Sequence, residues 1–192
     1  MTQFSTLETL ATPNRRGMLK GVGVLSAGAV LMLAGVKANA QSASGDVAIL
    51  NVALGLEHEA INAYQIGAMS GLLQKPVLDV AVRFQADHKA HRDALIATIN
   101  KLGGMAVAEK SLDEYAKALG AAGIKDQADI LTLAARLEMG AINAYLSVIP
   151  SFKDAQLAKV AGRLAADETM HWTLLNNALG RALPAGALSF GA

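Results

Sequence analysis

Six side chains of the kind that bind metal ions in proteins recur along the chain. They are Glu57, His88, His91, Glu138, Glu168 and His171. Glu168 and His171 are three residues apart, and a helix projects residues at that spacing from the same face. One helix can therefore hold a metal ion through both side chains, and His88 and His91 can do the same from a second helix. The two remaining glutamates each interrupt an apolar helical stripe, which completes a set of three carboxylates and three imidazoles.

A metal site is favoured over a purely hydrogen-bonded polar core, which remains an alternative. Ionised carboxylates and imidazoles in the core of a bundle cost free energy unless they are paired or bound to a metal ion. Three of the four histidines in the chain lie on inward stripes. His58 and its neighbour Glu59 point away from the face of Glu57, so they are predicted to lie at the surface.

Four predicted helices carry these residues. Beyond Gly45, apolar residues recur at helical spacing, and no stretch alternates as a β-strand does. Pro76 suits the first turn of the second helix, and Pro150 ends the third. The helices are expected over about 46–70, from Pro76 to about 102, and over about 127–148 and 154–179. The sequence therefore predicts an all-α fold.

The lengths of the connections predict the topology. Only a few residues join the first helix to the second and the third to the fourth, whereas residues 103–126 separate the second from the third. Two antiparallel hairpins, over about 46–102 and 127–180, are therefore expected, joined by a long crossover. Within the crossover, Ser111–Leu119 has a serine cap and a helical pattern, which predicts a short surface helix.

The two predicted hairpins are similar in sequence. Residues 56–64 (LEHEAINAY) and 137–145 (LEMGAINAY) are identical at seven of nine positions, and Ala86–His91 aligns with Ala166–His171 at nearly the same offset. This pattern indicates an internal duplication, so the hairpins are expected to pack about a pseudo-two-fold axis.

This combination resembles the ferritin-like superfamily of di-metal carboxylate four-helix bundles. In these proteins two helices each provide a Glu, and the other two each provide a Glu-x-x-His. The resemblance implies two bound divalent ions, iron or manganese first, with zinc or copper as alternatives. On it, Glu57 and Glu138 correspond to the single-helix ligands. His91 and His171 correspond to the imidazole ligands, and Glu168 to a metal-bridging carboxylate.

His88 departs from this pattern, because the family has a second bridging glutamate at that position. A histidine does not bridge two ions in the bidentate way of a carboxylate. The departure leaves open an asymmetric pair, a single ion or a different ion, and nitrogen-rich ligation moves the preference toward zinc or copper.

Three functions are consistent with the resemblance to the ferritin-like superfamily and with the departure from it at His88. The first is a di-metal oxidoreductase that oxidises ferrous ion or reduces peroxide, with dioxygen or peroxide as its small-molecule partner. The second is a non-catalytic periplasmic module that binds iron, manganese, zinc or copper and protects against oxidative stress. The third is a structural bundle that interacts with a partner and binds no metal.

Four further side chains are candidates to support the ligands. Asp87 and Asp167 precede the histidine-bearing turns, where a carboxylate can accept the outer N–H of a ligating histidine; an ordinary solvated helix face is the alternative. Tyr64 and Tyr145 lie two turns beyond the lone glutamates on the same stripes. We expect these tyrosines to hydrogen-bond a ligand rather than to donate an electron.

The first forty residues have the order of an export signal. Arg15 and Arg16 precede an uncharged stretch of 16 residues, Gly21 to Val36, and a small-residue cleavage site, Ala38-Asn39-Ala40, follows. The paired arginines resemble the twin-arginine (Tat) signal. Residues 1–40 are therefore expected to be cleaved after Ala40, with the Tat translocase as a transient partner and the periplasm as destination. The apolar stretch is shorter than the ~20 residues of a membrane span, so no stable membrane anchor is expected.

The remainder, residues 41–192, has the size of one domain. It carries 13 basic and 15 acidic residues, and the whole chain has no cysteine. This balance excludes a disulfide scaffold and a nucleic-acid binder that relies on a strong positive field. Monomer or homodimer is the expected assembly.

Overall fold

The computed structural model describes residues 43–190, and in this range the fold is all-helical, as predicted. The predicted signal lies outside the described residues. Five α-helices and no strand are present between residues 43 and 190. The helices are α1 (Ala43–Met69), α2 (Lys75–Lys101), α3 (Leu112–Leu119), α4 (Gln127–Val148) and α5 (Ala155–Ala178). Short 3₁₀ turns occupy Ala121–Gly123 and Ile149–Ser151.

Two helical hairpins form the bundle. α1 packs against α2, and α4 packs against α5, while α1 also contacts α4 and so joins the two hairpins. The segment between α2 and α4 includes α3 and crosses from one hairpin to the other. The predicted topology of two hairpins and a long crossover is confirmed.

Local signals in the sequence set the helix boundaries. α2 has a proline, Pro76, in its first turn. At the start of α3, Ser111 and Glu114 form a reciprocal capping box. The side chain of Asp126 caps α4, and that of Asp154 caps α5. These three side-chain caps satisfy backbone N–H groups that have no partner within their own helix, so α3, α4 and α5 each begin at a defined residue.

Two apolar clusters lie on either side of the middle of the bundle. One is built around Leu54, Ile99 and Leu157, and the other around Phe84 and Trp172. Along each of the four long helices, the six candidate ligands fall between the residues of these two clusters. Apolar packing thus fixes the positions of the four helices on both sides of a polar central layer.

The outer face of α1 holds the crossover in place. The side-chain amide of Asn51 donates to the carbonyl of Met105 at 2.9 Å and accepts from the N–H of Val107 at 2.7 Å. One helical turn beyond His58, Asn62 donates to the Glu109 carboxylate at 2.6 Å. The two bonds of Asn51 satisfy backbone groups of a segment without regular structure of its own.

The prediction that His58 lies at the surface is wrong. Its side chain is only 4% exposed, because the crossover covers it. The ring Nε2 donates to the carbonyl of Val107 at 3.3 Å, and Nδ1 lies 3.9 Å from the Glu109 carboxylate. The neighbouring Glu59 is half-buried. His58 is therefore a buried histidine that lies outside the polar central layer, so a substitution there is a control for substitutions of the candidate ligands.

Over residues 43–190, no helix has both the length and the apolar composition required to cross a bilayer.

Removing a core side chain should test the apolar clusters. Leu54 is fully buried, whereas Val82 is 53% exposed. We expect Leu54→Ala to lower the free energy of unfolding by about 2–5 kcal/mol, because it leaves a cavity in close-packed surroundings. Val82→Ala should change it by less than about 0.5 kcal/mol. Urea denaturation of both variants measures the difference, and equal effects would contradict the assignment of Leu54 to the core.

Candidate metal centre

All six candidate ligands converge in the central layer of the bundle. α1 provides one of them, α2 two, α4 one and α5 two, and each is at most 8% exposed. In helix order they are Glu57, His88, His91, Glu138, Glu168 and His171. Their positions follow from helical spacing, since each lies on the inward stripe that continues into the apolar clusters on either side.

The ligand atoms form two groups, and within each group they lie within 4.8 Å of one another. The first ligand group consists of Glu57, His88, His91 and Glu168. The second ligand group consists of His88, Glu138, Glu168 and His171. His88 and Glu168 belong to both groups. The arrangement of carboxylate and imidazole atoms is compatible with a metal ion in each group.

Glu168 presents one carboxylate oxygen to each group. Its Oε1 lies 3.2 Å from Nδ1 of His91, in the first ligand group. Its Oε2 lies 3.1 Å from Nδ1 of His171, in the second ligand group. Glu168 is fully buried, so both oxygens face protein groups rather than bulk water.

His88 has the corresponding arrangement with its two ring nitrogens. Nδ1 lies 2.8 Å from Oε2 of Glu57, and Nε2 lies 3.2 Å from Oε1 of Glu138. The ring is 1% exposed. Each nitrogen therefore faces the carboxylate of a different ligand group.

The two aspartates contact the outer nitrogens of histidines on the opposite hairpin. Nε2 of His91 lies 3.2 Å from Oδ2 of Asp167, and Nε2 of His171 lies 3.4 Å from Oδ2 of Asp87. The Nδ1 atoms of both histidines then face the ligand groups. A carboxylate at the outer nitrogen fixes the tautomer and the orientation of a ligating imidazole.

The two tyrosines also bond across the hairpins. The Tyr64 hydroxyl donates to Oε1 of Glu138 at 2.5 Å, and the Tyr145 hydroxyl donates to Oε1 of Glu57. Burial raises the pKa of both phenols well above its ordinary value, and the nearby glutamate charges raise it further. Both hydroxyls therefore stay protonated and hold one oxygen of each glutamate.

Without metal, protonated histidines balance the carboxylates. Burial alone would lower the pKa of His91, but its contacts with Glu168 and Glu57 outweigh this and raise the pKa to about 10. In the same way, the contacts of His171 with Glu138 and Glu168 outweigh burial and raise its pKa to about 9. The pKa of His88 is also raised, since its neighbouring carboxylates outweigh burial.

The carboxylates respond differently to the same surroundings. Burial favours the neutral acid of Glu57 and Glu138, but the neighbouring histidines outweigh it and lower both pKa values. For Glu168 burial prevails and raises the pKa. Deprotonated histidines are the form that binds metal, so a metal ion entering this centre displaces protons.

Three buried ligand atoms have no hydrogen-bond partner. They are Nδ1 of His91, Oε2 of Glu138 and Oε1 of Glu168. Buried polar atoms are nearly always satisfied in folded proteins. Two of the three belong to the first ligand group and two to the second, because Glu168 is in both. Unpaired polar atoms that lie within the two ligand groups fit the residues of a metal centre.

Two spaces adjoin the centre. A small void of about 20 Å³ is bordered by Glu57, His88 and Glu138. On the other side, Tyr64 and Phe84 separate the ligands from an apolar cavity of about 240 Å³. The Phe84 ring stacks on the His171 imidazole with centroids 4.0 Å apart. Phe84 lies four residues before His88, so helical spacing places it on the same face of α2 as this ligand.

The comparisons with known proteins agree with the helical fold. The profile of the ferritin-like domain family matches residues 45–181. Among solved structures, the chain is similar to the crystal structure of a conserved hypothetical protein, rv2844, from Mycobacterium tuberculosis. The TM-score is 0.59 at 25% identity, and the match covers 76% of this chain and 97% of that one. No curated protein sequence matches. With the family profile spanning both hairpins and the crossover, the chain belongs to the ferritin-like domain family.

Proposed function

We propose that the chain binds two divalent metal ions, one in each ligand group, and uses them to oxidise ferrous ion or to reduce peroxide. The observation that carries the proposal is the pair of adjacent four-residue groups that share His88 and Glu168. Carboxylates with imidazoles on four inward helix faces are the ligand set of ferritin-like di-metal proteins. Iron and manganese are the ions we favour.

When bound, redox-active ions supply electrons and an open coordination position for dioxygen or peroxide. The residues of the chain provide the surroundings for this chemistry. Tyr64 and Tyr145 each hold one oxygen of a ligand glutamate, and Asp87 and Asp167 orient the histidines. The two apolar clusters keep bulk water from the central layer, which strengthens electrostatic interactions inside it.

The space beside the ligands supports a small substrate. The void next to Glu57, His88 and Glu138 has a volume of about 20 Å³, and a water molecule needs at least ~10–15 Å³ of such volume. A molecule the size of water fits in this void. We infer dioxygen or peroxide as the substrate from the ligand set, which is that of ferritin-like di-metal proteins.

A second candidate function is metal sequestration without turnover. His88 favours it, because the second position shared by the two groups holds an imidazole in place of the family's carboxylate. Such a chain would bind iron, manganese, zinc or copper and keep it from side reactions. Turnover assays on the loaded protein separate the two functions: ferrous oxidation or peroxide consumption above that of the free ions supports the enzyme.

We also propose that the chain is exported to the periplasm by the Tat pathway and acts there as a monomer or homodimer. The support is the order of Arg15-Arg16, the uncharged stretch Gly21 to Val36 and Ala38-Asn39-Ala40. The Tat route suits a protein that acquires its metal during folding, before translocation.

Metal content should depend on each ligand group separately. After anaerobic loading with Fe²⁺ or Mn²⁺ and desalting, we expect about two ions per chain, measured by elemental analysis. His91→Gln should lose the ion of the first group and His171→Gln that of the second, leaving about one each.

The matched control is His58→Gln. His58 is as buried as His91, at 4% against 8% exposed, but it belongs to neither ligand group. This variant should keep about two ions per chain. Absence of bound metal in the unmodified chain after loading would overturn the proposed function, and full metal content in both ligand variants would overturn the ligand assignment.

Stability of the metal-free chain should fall as the pH rises above neutrality. The pKa values of about 10 for His91 and about 9 for His171 lie above the ordinary 6.5. Protonation of these histidines therefore stabilises the folded state fully below about pH 6.5, and this contribution is lost as the pH rises through about 9 to 10.

Thermal melts of the chelator-treated chain at about pH 7 and about pH 10 test this expectation, with a lower Tm at the higher pH. The metal-loaded chain should not show this loss, because the ions replace the protons. A metal-free Tm that rises over the same range would contradict the charge balance described for the centre.

Export should depend on the paired arginines. Replacing both Arg15 and Arg16 with lysine preserves the charge and removes the Tat signature. We expect the variant to stay in the cytoplasm with residues 1–40 attached, whereas the unmodified chain appears in the periplasm with Gln41 as its first residue. Fractionation and N-terminal sequencing measure both properties. Periplasmic accumulation of the variant would contradict export by this route.

A further inference from the structure

We infer that His88 bridges the two metal ions as an imidazolate, with one ring nitrogen bound to the ion of each ligand group. The inference rests on the proposed function, because a bridge requires two ions. It also revises the expectation from the sequence that a histidine at this position breaks the bridge.

The first observation that supports the bridge is the geometry of the His88 ring. Nδ1 of His88 lies 2.8 Å from Glu57, a ligand of the first group only, and Nε2 lies 3.2 Å from Glu138, a ligand of the second group only. A histidine that served one ion would turn its other nitrogen to a backbone carbonyl or an aspartate, as His91 and His171 do with Asp167 and Asp87. His88 instead has a ligand carboxylate at each nitrogen.

The second observation that supports the bridge is the internal duplication. His88 and Glu168 occupy equivalent positions in the two hairpins, and they are the two residues shared by both ligand groups. Glu168 turns Oε1 toward His91 and Oε2 toward His171. The two positions related by pseudo-symmetry thus present one ligand atom to each group, one with oxygens and the other with nitrogens.

The third argument for the bridge is the charge balance between the ligands and two divalent ions. The three ligand carboxylates offset only three of the four positive charges of two divalent ions, and the fourth is costly in a buried medium of low polarity. Asp87 and Asp167 lie outside the ligand groups, at 31% and 45% exposure, where solvent screens their charges. When both nitrogens of His88 bind an ion, two N–metal bonds replace the N–H bonds, and the displaced protons leave to solvent. The ring then carries one negative charge, so the charges of the six ligands balance those of the two ions.

This bridge explains how the centre keeps a pair of ions without the second bridging carboxylate. The ring of His88 is 1% exposed, its two nitrogens contact Glu57 and Glu138, and the centroid of the Tyr64 ring lies 5.5 Å away at a tilt of 30°. A buried ring held in one orientation keeps its two nitrogens directed to opposite sides. The same features that bury His88 therefore orient it as a bridge.

Copper(II) is the probe for the test, because nitrogen-rich sites bind it and its unpaired electron reports on a bridge. The metal-free chain, His88→Gln and Glu168→Gln are each loaded with Cu²⁺ alone. Elemental analysis then gives copper per chain, and low-temperature EPR gives the number of uncoupled spins. An imidazolate couples the two spins antiparallel, so most of the signal of the bound copper is lost.

We expect two copper ions and a largely silent signal in the unmodified chain. Glu168→Gln should keep the silent signal, because His88 still bridges, whereas His88→Gln should show the full signal of the copper that it binds. If His88→Gln binds only one copper ion, its full EPR signal agrees with the bridge but does not test the coupling. The deciding result is then Glu168→Gln, which should bind two copper ions and still show a largely silent signal.

Three results would overturn the bridge while leaving the di-metal function in place. Two copper ions with a full signal in the unmodified chain would show that His88 serves one ion only. A silent signal in His88→Gln, or a full signal from two ions in Glu168→Gln, would assign the coupling to Glu168. One copper ion or none in the unmodified chain would overturn the proposed di-metal function together with the bridge. The metal content distinguishes this result from the first three.

Discussion

The fold depends on burying three carboxylates and three imidazoles side by side in the middle of a helical bundle. Each charge removed from water costs several kcal/mol unless an opposite charge or a metal ion replaces its hydration. The chain satisfies this constraint with one polar layer between two apolar clusters. Carboxylates and protonated histidines balance one another without metal, and in the proposed function two divalent ions would take the place of those protons.

Much of the fold was predictable because the signals that set it are local. The bounds of α4, residues 127–148, agree with the predicted range, and the capping box of α3 begins at Ser111, where the sequence placed a cap. The likeness of residues 56–64 to 137–145 predicted two equivalent hairpins. Helical spacing then placed Glu168 and His171 on one face, since periodicity fixes a side chain's direction relative to its own helix.

The features that could not be predicted depend on contacts between segments distant in sequence, and helical periodicity does not describe such contacts. His58 was misplaced because an irregular segment, residues 103–110, covers the outer face of α1. The pairing of Asp87 with His171 and of Asp167 with His91 joins opposite hairpins, so it follows from how the hairpins pack. The two-sided arrangement of His88 likewise appears only when α1 and α4 contribute their glutamates from either side of its ring.

Neither hairpin holds a complete ligand group. In the first group three ligands come from α1 and α2, and the fourth, Glu168, comes from α5 of the other hairpin. In the second group three ligands come from α4 and α5, and the fourth, His88, comes from α2. A chain with one hairpin could assemble this centre only by pairing with a second copy, at a concentration high enough to dimerise. Joining both copies through the crossover makes assembly independent of concentration. It also frees the two copies to differ, so that one shared position is an imidazole and the other a carboxylate, which identical subunits could not achieve.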